Sequence, residues 1–286
     1  MDKVVTSTPT VLNSISCPTA EACIAVGSTS VPAQAGVVLR TADAGERWQQ
    51  VSPPPNSANL VSVDCVSRYR CEVLATDGAS YWTVATRDLG SSWQQGGNVA
   101  GISGASNLSC GAHNLCVVAG FTTSSAAHGT GAIALSGDGG TTWTSAQLPP
   151  STGILHDATC VGASYCVAIG TMSTTTSDVA LGKGAILTSR TGAATWDAQA
   201  PAIGLDDGYG VYCFSTRSCV AVGTVWTPTV PPTPVGAGVI TTNGGRSWTT
   251  LSVRYVPNGL VGLSCPTAAL CIAVGGGTIA RLQAGS

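Results

Sequence analysis

The sequence predicts an all-β chain folded as a six-bladed β-propeller of four-stranded antiparallel blades, on three observations. The cysteines fall in six pairs of identical C-x5-C spacing, Cys17/Cys23, Cys65/Cys71, Cys110/Cys116, Cys160/Cys166, Cys213/Cys219 and Cys265/Cys271, which recur every 45 to 53 residues. The flanks repeat with them, from SCPTAEACIAVG near the start to SCPTAALCIAVG near the end. Each unit carries short apolar runs rich in Val, Ile and Ala, separated by Gly and Pro signals, and helical periodicity occurs nowhere. Four short strands at a fixed period are the pattern of a propeller blade.

Each unit reads in the same order. A cysteine pair is followed by an apolar run, a loop, a second apolar run such as GVVLR or GAIAL, a turn, then Trp and a polar-apolar alternation. The units fall at approximately 10–55, 56–100, 101–150, 151–202, 203–256 and 257–286 plus 1–9, one propeller domain over the whole chain. The sixth unit ends at GGGTIARLQAGS, which supplies a third strand and no fourth. Pro9 lies eight residues before Cys17 as Pro257 lies eight before Cys265, so residues 3–8 are expected to join the C-terminal blade and close the ring.

The turn before each Trp reads TADAGERW (Thr41 to Trp48), TRDLGSSW (Thr86 to Trp93), SGDGGTTW (Ser136 to Trp143), TSRTGAATW (Thr188 to Trp196) and TTNGGRSW (Thr241 to Trp248). These turns resemble the Asp-box, or bacterial neuraminidase repeat, S/T-x-D-x-G-x-S/T-W. The resemblance covers nearly the whole chain and implies a propeller of the sialidase-like, sortilin-like and photosystem II assembly-factor-like kind, with the box joining the third and fourth strands. In the box the Asp accepts backbone N–H groups, Gly supplies positive φ and Trp covers the blade edge. Two copies depart from it: Arg190, with one extra residue before Trp196, and Asn243 in the Asp position.

Composition narrows the function classes. Charged residues make up 9% of the chain, against roughly 25% in an average soluble domain. The net charge of -2 gives no basis for holding nucleic acid. No run approaches the ~18 apolar residues of a spanning helix, so no membrane insertion by this segment is expected. Twelve cysteines in even number point to an oxidising compartment, extracellular, periplasmic or at the cell surface. MDKVVTSTPT lacks the apolar core of a secretory signal, so the export signal or anchor is expected to lie outside this sequence. A monomeric domain is expected.

The cysteine spacing suits a disulfide between facing partners of a hairpin, whose Cα atoms lie roughly 4.5–5.5 Å apart. Each closed loop is worth about 2 kcal/mol on the chain-entropy estimate. Zinc is the alternative, but C-x5-C is not the usual C-x2-C ligand spacing and only His113 falls inside a pair. Six near-equivalent copies argue against a redox site. No metal and no cofactor is expected.

With this strand order the cysteine loops and boxes share one rim. That rim carries nine of the ten arginines, interleaved with Glu21, Asp43, Glu46, Asp64, Glu72, Asp88, Asp138 and Asp197, and is expected to be a solvated mixed-charge surface. The opposite rim has the variable loops, longest at MSTTTSDVALGKG in the fourth blade and VWTPTVPPTPVGAG in the fifth. It carries Asp77, Asp157, Asp178, Asp206 and Asp207 with Lys183 and Arg254, and Trp82, Tyr209, Trp226, Tyr255, His128 and His156. Asp77-Gly78 and Asp207-Gly208 also suit ordinary turns.

Ligand binding is therefore expected at Asp157, His156, Asp206, Tyr209, Trp226 and Tyr255. The resemblance raises sialidase activity, which uses three arginines, a Tyr-Glu pair and an Asp on the rim opposite the boxes. That rim holds Arg254 alone and no glutamate, so sialidase chemistry is not expected. A glycosidase acting on neutral polysaccharide through paired carboxylates is the enzyme alternative, with Asp157 and Asp206 or Asp207 as the available pair. The favoured reading is a non-catalytic binding or scaffold propeller that recognises a protein or a glycan.

Overall fold

The computed structural model describes residues 9–30, 34–111, 114–123, 129–172, 183–198, 204–229, 231–267 and 270–282. It is an all-β six-bladed β-propeller, with five four-stranded antiparallel sheets and a last sheet of three strands. The blades are β1 (Thr10–Ser16), β2 (Cys23–Thr29), β3 (Gly36–Thr41) and β4 (Gln49–Val51); β5 (Asn59–Ser67), β6 (Arg70–Thr76), β7 (Tyr81–Thr86) and β8 (Gln94–Asn98); β9 (Gly104–Cys110), β10 (Cys116–Thr122), β11 (Thr130–Ser136) and β12 (Thr144–Ser145). They continue with β13 (Thr152–Val161), β14 (Tyr165–Met172), β15 (Gly184–Ser189) and β16 (Asp197–Ala198); β17 (Asp207–Cys213), β18 (Cys219–Trp226), β19 (Pro234–Thr241) and β20 (Thr249–Thr250); and β21 (Gly262–Thr267), β22 (Leu270–Gly275) and β23 (Thr278–Leu282). The expected closing strand, residues 3–8, lies outside the described residues.

Two compact units make up the chain, Met1–Val118 with Ala134–Ser145, and Ala119–Ile133 with Ala146–Ser286. In the first, Ile24, Val26 and Val38 of the first blade pack on Leu60, Val73 and Val84 of the second. In the second, Val167, Ile169 and Ile186 of the fourth blade pack on Val211, Ala221 and Val239 of the fifth. Val220 and Val222 then meet Leu260, Ala273 and Leu282. Second strands such as CEVLA and CVAIG are buried on both faces because a neighbouring sheet covers each face, and fourth strands are short and exposed. Each fully buried Val, Leu or Ile contributes roughly 1.5–3 kcal/mol.

All six cysteine pairs are disulfides within their own hairpins. Their Cα atoms lie 4.0–4.1 Å apart, closer than the sheet spacing that the sequence suggests. Cys65 and Cys71, Cys160 and Cys166, and Cys213 and Cys219 are direct register partners, as expected. The last pair follows the same pattern: Ser264 pairs with Ile272, which sets Cys265 across from Cys271, and the register shifts only before Thr267 and Leu270, as it shifts after Cys65 in the second blade. On its other side Cys271 faces Leu282 of β23. The second cysteines Cys71, Cys116, Cys166, Cys219 and Cys271 are fully buried, the first four in second strands covered on both faces and Cys271 on the one covered face of β22. Cys271 packs there with Leu260, Ala273 and Leu282.

Register shifts recur four residues before the first cysteine of a pair, leaving Asn13, Val61, His156 and Tyr209 as extra residues on their first strands. The bulge pushes a backbone carbonyl across the hairpin, and the repeated glycine of C-x3-G receives it. A Cβ on Gly27, Gly170 or Gly223 would lie 1.9–2.0 Å from the carbonyl oxygen of Val11, Ile154 or Asp207. The second blade carries Ala75 there, and nothing in the structure explains that exception.

The boxes are held by one buried hydroxyl. Thr41 Oγ1 donates to Asp43 Oδ1 at 2.8 Å and accepts Gly45 N–H at 3.0 Å, while Asp43 Oδ1 accepts Arg47 N–H at 2.9 Å. The pattern recurs from Thr86 and Ser136. At Thr241 the Asn243 amide oxygen takes the Asp role, accepting Ser247 N–H at 3.0 Å. Cysteine loop and box share a rim: Ala44 N–H donates to Glu21 O at 2.9 Å, and Gly139, Gly192 and Gly244 donate to Asn114, Ser164 and Arg217.

The fourth box differs from its expected alignment. Ser189, not Thr188, pairs with Cys166 and its Oγ accepts Ala193 N–H at 3.0 Å, so Thr191 takes the Asp position and no residue is inserted. Thr191 Oγ1 accepts Thr195 N–H at 3.0 Å in place of a carboxylate. Ala193 occupies the glycine position at φ 66°, beside Gly192 at φ 67°.

Two substitutions test these devices by urea denaturation. Asp138→Ala removes an acceptor of backbone and hydroxyl donors and is expected to cost about 1–2 kcal/mol, whereas Asp138→Asn, which keeps the oxygen as Asn243 does, costs less. Gly223→Ala drives a methyl into the Asp207 carbonyl and is expected to cost about 1–3 kcal/mol.

Candidate functional site

The fourth and fifth blades bring four of the six candidate binding residues into two arrangements. His156 and Tyr209 occupy the same bulge position on consecutive first strands, and their rings meet at 4.7 Å between centroids with a 34° tilt. A bulge turns a side chain away from the regular pleat, which is why residues 53 apart in sequence become ring neighbours. Asp207 lies against the pair: its Oδ1 is 3.5 Å from His156 Nε2. Burial, then hydrogen bonding to Asp207 and the charge of Asp207, push the Tyr209 phenol well above its ordinary range. Oδ1 of Asp207 is buried and accepts no hydrogen bond, leaving His156 as its facing cation on protonation.

Asp207-Gly208 is not a turn. It opens β17, with Asp207 opposite Thr224 and Gly208 opposite Gly223. Glycine is needed there for space, since a Cβ on Gly208 would lie 2.0 Å from Ile169 Cγ1 of the preceding blade. Asp77-Gly78 is a turn, with Asp77 Oδ1 accepting Ala79 and Ser80 N–H and Gly78 at φ 95°.

Asp157 bridges blades. Its Oδ2 accepts Val211 N–H at 2.8 Å and its Oδ1 accepts Ala158 N–H at 2.8 Å. Asp206 Oδ2 accepts Trp226 N–H at 2.7 Å and so fixes the end of β18. Trp226 pairs with Pro234, and the loop between them is closed by the hydroxyls of Thr227, Thr229 and Thr233. Tyr255, 76% exposed, follows beside the start of β19, where Gly236 N–H donates to Val256 O.

The remaining residues of that rim separate. Trp82 is buried in β7 within the first core cluster. His113, His128 and Asp178 lie outside the described residues. Among the described residues no three His, Cys, Asp or Glu side chains gather as a metal site. No helix among them is long and apolar enough to cross a membrane.

On the box rim, Asp64 and Glu72 are not the solvated charges that their sequence positions suggest. They face each other across β5 and β6; Asp64 is half-buried and Glu72 buried. Asp64 Oδ2 accepts Cys110 N–H at 2.7 Å, the same bridging role that Asp157 plays and that Ser14 and Ser16 play toward Val63 and Cys65. Burial raises the Asp64 carboxyl to about 6 despite its hydrogen bonds, and burial raises Glu72 to about 7 despite Arg70 and Arg87. The box carboxylates shift the other way: hydrogen bonds from Thr142 and Ser136 hold Asp138 at about 2.

Sequence reasoning also misses a cleft of about 440 Å³ on this rim, between the first box and the second cysteine loop. Arg40, Arg47, Trp48, Arg68, Tyr69 and Asp88 line it. The available signal is the run SRYR inside the second cysteine loop.

No protein-family model matches the chain, and no curated protein matches it by sequence. Solved structures do. A YCF48 bound to D1 peptide aligns with a TM-score of 0.61 at 15% identity, over 97% of this chain and 78% of the other. YCF48 from Cyanidioschyzon merolae aligns with a TM-score of 0.54 at 13% identity, over 99% and 98%. The GH74 xyloglucanase from Xanthomonas campestris aligns with a TM-score of 0.64 at 15% identity, over 94% of this chain and 44% of its own length. The chain is thus structurally similar to propellers of binding proteins and of enzymes, and at such identities the likeness is one of fold.

The buried carboxyls give stability a defined pH dependence. Because the folded-state values of Asp64 and Glu72 are raised, their contribution is full below about pH 4 and is lost as pH rises through 6 and 7. Asp138 contributes above about pH 4 and loses this as pH falls toward 2. The melting temperature is expected to peak near pH 4, and Asp64→Asn with Glu72→Gln should flatten its decline between about pH 4 and 7.

Proposed function

We propose that this chain is a non-catalytic, extracytoplasmic binding propeller, extracellular, periplasmic or at the cell surface, that receives a polypeptide on the fourth and fifth blades away from the boxes. The observation that carries the reading is the His156–Tyr209 ring pair seated on Asp207, with Trp226 anchored by Asp206 and Tyr255 exposed on the same blade. Aromatic rings with one polar end are the side chains that anchor protein partners with little entropy to lose. Six disulfides suit an oxidising environment. A propeller of this fold bound to a peptide supports the same partner class.

The glycosidase alternative draws on the GH74 likeness and on the carboxylates. A pair of acid and base needs one carboxylate free to take up a proton or activate water. Here Asp157 accepts two backbone N–H groups and Asp206 accepts a third. Asp207 alone of the three keeps a buried oxygen that accepts no hydrogen bond, and one such carboxylate does not complete the pair, which favours binding over turnover.

Selection of a displayed random-peptide library on the protein tests the proposal. The peptides recovered are expected to lose at least about tenfold in affinity with Trp226→Ala, Tyr209→Ala or Tyr255→Ala, the scale of an interface anchor, and to keep it with Arg217→Ala on the box rim. Binding insensitive to all three aromatic changes overturns the site. Release of reducing ends from xyloglucan, abolished by Asp207→Asn, overturns the non-catalytic reading.

A further inference from the structure

The cleft on the box rim of the first two blades has the chemistry of a separate binding site. Arg40 forms its fixed wall: its Nε and Nη2 donate to Gln49 Oε1 at 3.2 and 3.1 Å, and Nη1 donates to Ser91 Oγ and, at 3.4 Å, to Asp88 O. None of these acceptors is charged. Asp88 offers Arg40 its backbone carbonyl, while its carboxylate is committed to Thr86 and Ser92. Arg47 and Arg68 are exposed at the mouth. The Arg68 guanidinium sits 5.2 Å from the Tyr69 ring centroid, and Tyr69 is 64% exposed.

Two comparisons within the molecule set these arginines apart. Arg190, on the fourth box, donates to the Gly244 carbonyl and covers the Tyr165 ring, and Arg70 and Arg87 flank the buried Glu72. Among the described residues the one ion pair is His156–Asp207, so no carboxylate of theirs lies within ion-pair distance of Arg40, Arg47 or Arg68. The chain also has ten arginines and two lysines. Ordinary solubility charge does not require that preference, whereas planar, two-pronged recognition of an oxyanion does.

We infer that this cleft binds a carboxylated sugar of an acidic glycan, with the carboxylate held by Arg47 and Arg68 against Arg40 and the sugar ring stacked on Tyr69 beside Trp48. Three positive side chains against one carboxylate, that of Asp88, leave the cleft cationic. Its volume falls in the range of small-molecule sites. The aromatic walls favour a ring over an extended acidic peptide, which would need charge alone. This site is independent of the polypeptide surface on the fourth and fifth blades, and the failure of either leaves the other standing.

Calorimetric titration of the full chain at physiological ionic strength separates the outcomes. Hexagalacturonate and 3′-sialyllactose present the carboxylated ring, cellohexaose a neutral ring, and hexaglutamate the charge without a ring. At least one carboxylated sugar is expected to bind about tenfold or more tightly than cellohexaose and hexaglutamate. Arg47→Ala and Arg68→Ala should each weaken it about tenfold, the scale of a charge-assisted hydrogen bond. Arg68→Lys should weaken it too, because it keeps the charge and loses the planar fork. Tyr69→Ala should also weaken it, and Arg217→Ala should not, with melting temperatures unchanged throughout. Equal binding of hexaglutamate with no effect of Tyr69→Ala makes the cleft an acidic-peptide site and overturns the inference. Equal binding of cellohexaose, or no binding of either carboxylated sugar at millimolar concentration, overturns it as well.

Discussion

In the first, second, fourth and fifth blades the second cysteine of the pair lies directly across from a buried hydroxyl: Cys23 from Thr41, Cys71 from Thr86, Cys166 from Ser189 and Cys219 from Thr241. The disulfide ties the first strand to the second, and this pairing ties the second to the third. A slip of one residue would turn every side chain of a blade to the wrong face, so the covalent bridge fixes a register from which other positions are counted. Four residues beyond that cysteine, in each of these blades except the second with its Ala75, stands the glycine that makes room for the bulged strand. Four residues before the other cysteine stands the bulge itself. The hydroxyl then organises the box, which in the first, fourth and fifth blades meets the cysteine loop through one backbone hydrogen bond. In the last blade Cys271 faces Leu282 where those four face a hydroxyl.

That counting explains why the fold is legible in the sequence. Cysteine pairs and box tryptophans are conspicuous letters at fixed distances, and four strands per unit follow from the apolar runs between them. Letters mislead where a hydrogen bond, not a letter, defines the position. The fourth box aligns by letter on its glycine and Trp196, but the structure keeps the hydroxyl at Ser189 and lets Thr191 and Ala193 stand in for Asp and Gly. Asp64 and Glu72 look like rim charges because they neighbour Cys65 and Cys71. Sequence distance from a loop does not report depth, and both side chains turn into the stack of blades toward the third.

The candidate site is legible in its residues and not in its arrangement. His156 and Tyr209 stand out as ring-bearing residues on one rim, yet their contact depends on the bulges, which leave no mark in composition. Counting back four from each first cysteine matches them. Asp157 shows the opposite case. A carboxylate in an apolar strand invites a catalytic reading, while here it does what Ser14, Ser16 and Asp64 do elsewhere, accepting the N–H of the next blade's first strand. Those strands offer backbone donors that a neighbouring sheet would otherwise bury unpaired, and an unpaired buried donor costs about 1–3 kcal/mol.

This use of hydroxyls, carboxylates and backbone in place of ion pairs has a consequence for the surface. With 9% charged residues and buried registers held by disulfides, the scaffold draws little of its stability from charge. The arginines are therefore released from structural duty except where one has been drawn into a contact, as Arg190 has with Gly244 and Tyr165. A rim rich in such arginines can change its recognition properties without disturbing the blades below it, because the box turn is fixed by Thr41 and Asp43 through backbone and hydroxyl groups. Arg47 gives that turn its N–H and a weaker charge interaction with Asp43. Among the described residues no side-chain hydrogen bond holds its guanidinium to the turn, and it lines the cleft.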